Sequence, residues 1–343
     1  MLQAAGSLVS IAVLLAAGAF LARRGLLPER AADGLKALIT QLTLPLLLFR
    51  AFLQLEPDAS NAALALAVFA ACAVMGGIGV LATRTLHLPS PETRLLFQGF
   101  EAGMLGYALF VALHGSERLP AFAALDMGQV IYVFTVLIVQ MSVLEQHHAR
   151  DLTRTARRPD ALVEHTDMSR PGASSTPGTG DSPTDRLTFP WRDVASSKVL
   201  WAIATGLAIS FVAPDLARTI AGPDGFTAAI FDTVGGLTTP LVCLVIGASL
   251  ASGIPRDPSI VKIVALRTLV GLSLGLMFGL LIVPALGFSD WYTSAAIMLF
   301  VLPAPFVIPV YYKRNPAFVG GVLTLSTAVS IALIAVLAVL GVA

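Results

Sequence analysis

Apolar residues along this chain fall into runs about as long as a bilayer is thick, bounded by charges, prolines and glycines. A helix needs about 20 apolar residues to cross roughly 30 Å of hydrocarbon. Windows of that length lie at 4–22, 34–54, 60–83, 94–114, 120–143, 196–213, 228–251, 266–286, 291–312 and 318–341, and they predict about ten transmembrane helices. The fourth and ninth are the least regular: one carries Glu101 among glycines and the other carries three prolines. No charge precedes Arg23, and the first run ends in Arg23-Arg24 without a small-residue cleavage site. It is expected to be a retained helix with its N-terminus outside, and not a signal peptide.

Composition agrees with that pattern. Of the 343 residues, 56 % are hydrophobic and 13 % charged, where a soluble surface needs roughly 25 % charge, and the mean hydropathy is +0.81. A formal net charge of +1 leaves no footprint for nucleic acid. Cys72 and Cys243 each lie inside an apolar run, which implies neither a disulfide nor a metal. The basic residues test the topology independently, because cytoplasmic loops are rich in Lys and Arg. With the N-terminus outside, 19 of the 22 fall in or beside the odd-numbered, cytoplasmic connections; only Arg50, Arg118 and Arg218 do not. Setting aside the eight in the long fifth connection still leaves 11 against 3.

That fifth connection, 145–193, alternates acids and bases before a stretch rich in Pro, Gly and Ser from Pro171 to Gly180. With little to bury, it is expected to be a disordered cytoplasmic linker. It separates a first five-helix repeat, 1–144, from a second, 194–343. Leu42-Thr43-Leu44-Pro45-Leu46 in the second window returns as Leu237-Thr238-Thr239-Pro240-Leu241 in the seventh, at the same rank in each half. An odd number of helices per repeat inverts the second half in the membrane, an architecture common to secondary transporters. The expected fold is thus an all-α integral membrane protein with two inverted five-helix repeats and broken fourth and ninth helices.

In such folds the site lies near the bilayer midplane, where helices break. Glu101, Gly103 and Gly106 make the fourth window deformable, and Pro303, Pro305 and Pro309 each delete a backbone donor in the ninth. Pro45 and Pro240 are expected to break or pack their helices. A carboxylate at mid-membrane costs about 2.5 kcal/mol or more on insertion scales, so Glu101 should be paired, protonated or turned to water. It is either a substrate or proton site or a neutral acid bonded to a neighbouring helix. Asp126 and Gln129, with Tyr132 at helical spacing, give the fifth helix a polar face that serves either a site or structural hydrogen bonds. Asp232 reads as a helix-end residue, and Arg50 and Arg267 as interface anchors. Gly271, Gly275 and Gly279 form a stripe of small residues that suits a homodimer contact or packing within the chain equally well. No metal-spaced His/Cys cluster, P-loop or hydrolase motif appears, so no cofactor, metal or catalytic residue is assigned and an enzyme is not expected.

Leu44-Pro45-Leu46-Leu47-Leu48-Phe49, the run from Thr239-Pro240-Leu241 to Gly247-Ala248-Ser249-Leu250, and Pro309-Val310-Tyr311-Tyr312-Lys313-Arg314 resemble motifs of the auxin efflux carrier family of bacterial permeases and PIN-FORMED-like carriers. The resemblance covers nearly all of the chain outside the long connection. It implies ten helices in inverted repeats, broken helices crossing at the site, and transport of small organic anions such as dicarboxylates or indole acetate. Where the family pattern reads Asn-x-Gly-x-x-Gly-x-Pro, this chain has Glu101, Gly103, Gly106 and Ala108. An ionised Glu101 would repel an anion, which points either to proton coupling or to a substrate that is not a simple carboxylate. The expected function is an alternating-access permease in the bacterial inner membrane, whose partners are a small organic anion, protons and the lipid bilayer. The alternatives are a cation/proton antiporter using Glu101 and Asp126, and a membrane receptor that binds without transporting.

Overall fold

The computed structural model describes residues 2–55, 58–146, 198–222, 226–251 and 257–342. All regular structure among them is helical. The expected linker, apart from Glu145 and Gln146, lies outside the described residues. In chain order the helices are α1 (Leu2–Arg23), α2 (Arg30–Leu53), α3 (Ala59–Thr85), α4 (Glu92–Leu96), α5 (Ala102–His114) and α6 (Ser116–Gln146). Then follow α7 (Lys198–Val212), α8 (Pro214–Ala221), α9 (Thr227–Ala251), α10 (Pro258–Ala285), α11 (Asp290–Val301), α12 (Ile308–Tyr311) and α13 (Pro316–Val339). Six of them, α2, α3, α6, α9, α10 and α13, are long and apolar enough to cross a membrane. Val9–Arg23, Ala102–His114 and Lys198–Val212 are shorter apolar helices.

Local chemistry sets the helix ends. Asp58 caps α3 by accepting from the Ser60 N–H. Asp257 caps α10 by accepting from the Ser259 N–H at 2.8 Å, and Pro258 takes the first helical position, where a missing N–H costs nothing. α10 therefore starts well before the predicted position 266. Pro45 and Pro240 each follow a local irregularity. α2 widens into a π-helical turn at Ile39–Thr43 before Pro45, and α9 makes a turn at Leu237 before Pro240, since neither proline can donate to the carbonyl four residues back. The chain leaves the helix altogether at 97–101, between α4 and α5, and at 302–307, between α11 and α12.

Packing is reciprocal between the two parts of the chain. α1 lies along α9 while α2 lies along α7; α3 packs on α6 while α10 packs on α13. Small residues permit the close approaches. A Cβ at Gly18 would meet the Leu244 backbone, and one at Gly247 would meet the Leu15 carbonyl, so glycine is required on both sides of the α1–α9 contact. The glycine stripe on α10 faces α11: Cβ atoms there would crowd the Phe300 carbonyl at Gly271, Ile297 at Gly275 and Thr293 at Gly279. The stripe is thus used for packing within the chain, and no homodimer contact is drawn from it. Large apolar side chains stand outward, among them Leu66, Leu81, Leu269, Leu281 and Val336, while Glu101, Asp126, Gln129 and Arg267 are buried. Apolar outside with charge inside is the distribution expected of helices bathed in lipid. At one end of the bundle the guanidinium of Arg118 lies 3.4 Å from the ring centroid of Trp291. At another contact between the two parts, the Tyr312 hydroxyl donates to Glu92 at 3.0 Å and the Lys313 N–H donates to Glu145 at 2.9 Å.

Candidate functional site

The two non-helical stretches meet. The Glu101 N–H donates to the Pro303 carbonyl at 2.9 Å. The Glu101 carboxylate accepts from the Met104 N–H at 3.0 Å through Oε1 and from the Phe306 N–H through Oε2. One side chain therefore caps the first turn of α5 and also ties it to the segment before α12. Two of the three prolines expected in the site take part. Pro303 supplies the carbonyl, and Pro305 packs on Gly99, where φ is +67° and a Cβ would stand 2.9 Å from the proline Cγ. Only glycine combines that backbone with that approach. Gly103 lies beside Glu101, its Cβ position 3.6 Å from Oε1, and Gly106 leaves room for Leu302 and Phe122. Pro309 stands apart: it belongs to α12, and its carbonyl accepts from Lys313 Nζ at 2.9 Å.

The interruption frees backbone carbonyls, which must be satisfied at membrane depth. Arg267 satisfies two of them. Its Nη1 donates to the Leu96 carbonyl at 2.7 Å, and its Nη2 donates to the Gly99 carbonyl. The guanidinium also lies 5.4 Å from the Phe100 ring centroid. The residue is only 3 % exposed, which corrects its reading as an interface anchor. The predicted window put Arg267 at a helix start; Pro258–Met277 is one regular stretch, and Arg267 lies in its middle. Arg50 is likewise more than an anchor: its Nη1 donates to Asp232 at 2.6 Å and its guanidinium lies over Phe231. That pairing also gives Asp232 a partner on α2 in place of a helix-end role.

Asp126 and Gln129 form a neighbouring buried cluster. Asp126 accepts from the Tyr107 hydroxyl and from Gln129 Nε2, each at 3.1 Å. Tyr132, expected on the same polar face, turns elsewhere and donates to Gln98 Oε1 at 2.8 Å. Gln98 in turn donates to the Arg94 carbonyl at 2.9 Å and to Gln140 at 2.8 Å. Tyr107, Gln98 and Gln140 escaped the sequence reading because neutral polar residues in an apolar run carry no periodic signal. Among the described residues no three His, Cys, Asp or Glu side chains converge; Cys72 and Cys243 are free and buried. A polar-lined cavity of about 640 Å³ lies away from the crossing, beside Arg23, Asp33, Lys36, Ser249 and Thr324.

Apolar helices that enclose a charged, interrupted crossing define a multi-pass membrane protein of the transport class. Residues 4–338 match the family described as membrane transport protein, and the chain belongs to that family, which includes the auxin efflux carriers and PIN-FORMED-like permeases. Members of the family are transporters and not enzymes. No curated protein matches the chain.

Proposed function

We propose that the protein is a secondary carrier for a small organic anion, working by alternating access, with Glu101 carrying a coupling proton. The observation that carries this reading is the Glu101 carboxylate, which holds the start of α5 and the segment before α12 through two N–H donors. A proton on Oε2 replaces an acceptor with a donor and removes the tie to Phe306. Charge on one atom is thereby linked to the contact between the two interrupted segments. Asp126 and Gln129 are proposed as the adjoining polar wall, and Gly103, Gly106, Pro303 and Pro305 as the backbone that makes room for the crossing.

The whole-chain reading is ten transmembrane helices in two inverted repeats, 1–144 and 194–343, joined by a cytoplasmic linker. The reciprocal packing of α1 on α9 and α2 on α7 supports it, as do the paired irregularities before Pro45 and Pro240. We place the protein in a bacterial inner membrane with both termini outside. Flux and current across proteoliposomes test the reading. Accumulation of a small carboxylate driven by a proton gradient supports it. A current carried by a metal cation instead favours the antiporter, and saturable binding without flux favours a receptor.

A further inference from the structure

The cavity of about 640 Å³ shares no lining residue with the crossing. Both halves of the chain build its wall: the end of α1 at Arg23, the start of α2 from Pro28 to Lys36, the end of α9 around Ser249, and Thr324 of α13. Arg23, Asp33, Lys36 and Ser249 are exposed, whereas Ala22, Ala32 and Thr324 are half-buried and Ala248 is buried. Charge thus stands at the rim, and small side chains leave the volume behind it.

The lining offers more donors than acceptors. Two basic residues face one acid, and Lys36 Nζ holds that acid, Asp33, at 3.0 Å, a contact that turns the ammonium back toward the start of α2. Arg23 has no acidic partner among the described residues. Its neighbour Arg24 lies over the Phe20 ring and does not line the cavity. Ser249 already donates to the Val245 carbonyl. The Thr324 hydroxyl makes no hydrogen bond among the described residues, although Ser326, Thr327 and Ser330 on the same helix all do. Pro28 brings no side chain to cap the first N–H groups of α2, where the helix dipole is positive.

We infer that this cavity binds the headgroup of an anionic phospholipid, its phosphate oxygens accepting from Arg23, Lys36 and Thr324. Basic pockets between transmembrane helices hold anionic headgroups in this way. A lipid suits the place better than a free anion, because Phe20, Leu26 and Leu38, close in sequence to the rim, are exposed and give acyl chains an apolar surface. The inference needs only that these helices stand in a bilayer and is independent of what the protein carries. Since the wall comes from both halves of the chain, a bound headgroup ties them together and stabilises the folded state.

The test follows the melting temperature of the full-length protein in a neutral detergent. It is titrated with short-chain phosphatidylglycerol, with phosphatidylcholine of the same chain length, and with glycerol phosphate. Phosphatidylglycerol is expected to raise the melting temperature saturably, and the other two to need concentrations at least about tenfold higher. Arg23→Gln and Lys36→Gln, both at exposed positions, are expected to melt like the unaltered protein without lipid and each to weaken phosphatidylglycerol binding about fivefold. Arg24→Gln is expected to leave it unchanged. An equal response to phosphatidylcholine would overturn the assignment, as would an equal response to glycerol phosphate, which would make the cavity a site for soluble phosphates. Full affinity in both glutamine variants, or a loss in Arg24→Gln as large as in Arg23→Gln, would also overturn it. The comparison of the three ligands on the unaltered protein decides the matter even where a variant fails to fold.

Discussion

At the scale of single residues, the site depends on two buried charges of opposite sign with separate tasks. Arg267 satisfies carbonyls that the interruption after α4 leaves open, and Glu101 satisfies N–H groups on either side of the crossing. Arg267→Met keeps the length and apolar volume but leaves two acceptors without donors. It is expected to destabilise the purified protein by on the order of 2–4 kcal/mol, read from thermal or denaturant melts. A variant as stable as the unaltered protein would show that the carbonyls find other partners. Glu101 was legible in the sequence because a lone carboxylate in an apolar run is conspicuous. Arg267 was not, because its meaning depended on where α10 begins. The cap by Asp257 and the proline at 258 set that start ahead of the apolar window and move the arginine from a helix end to its middle.

At the scale of helices, composition showed most of the elements, and charges, prolines and glycines marked their ends. What it did not show was which faces meet. Gly18 and Gly247 illustrate the difference: each is one glycine among 29 in the sequence, yet they face the backbone of each other's helix. Gly18→Val and Gly247→Val are each expected to push α1 and α9 apart and to cost about 1–3 kcal/mol. Gly77→Ala in α3 has nothing within 4 Å of its new methyl group and is expected to be neutral or stabilising. Comparable melting temperatures for all three would contradict the close α1–α9 contact. The glycine stripe of α10 had two readings from spacing alone, and only the positions of Phe300, Ile297 and Thr293 decide between them. The interruptions in the fourth and ninth windows were visible as glycines and prolines. That Glu101 bridges them depends on a contact across 205 positions of sequence, which no local pattern encodes.

At the scale of the whole molecule, the proposed topology puts the loops at Glu117 and Asp290 on one side of the membrane and the turn at His87 on the other. The contact of Arg118 with Trp291 already brings the first two loops together. Cysteines introduced at Glu117 and Asp290 are expected to react with impermeant reagents added to intact cells, and one at His87 only after the membrane is opened. Labelling of all three from the same side would contradict the inverted repeats. At this scale the proposal is that the assembled molecule couples anion movement to a proton on Glu101. The most direct measurement compares carboxylate uptake into proteoliposomes by the unaltered protein and by Glu101→Gln, with and without an imposed proton gradient. Glutamine keeps an acceptor for one N–H but cannot exchange a proton. The unaltered protein is predicted to accumulate the anion when protons flow inward, while Glu101→Gln folds, binds and equilibrates the anion without responding to the gradient. Proton-driven accumulation by Glu101→Gln at the unaltered rate would contradict the account.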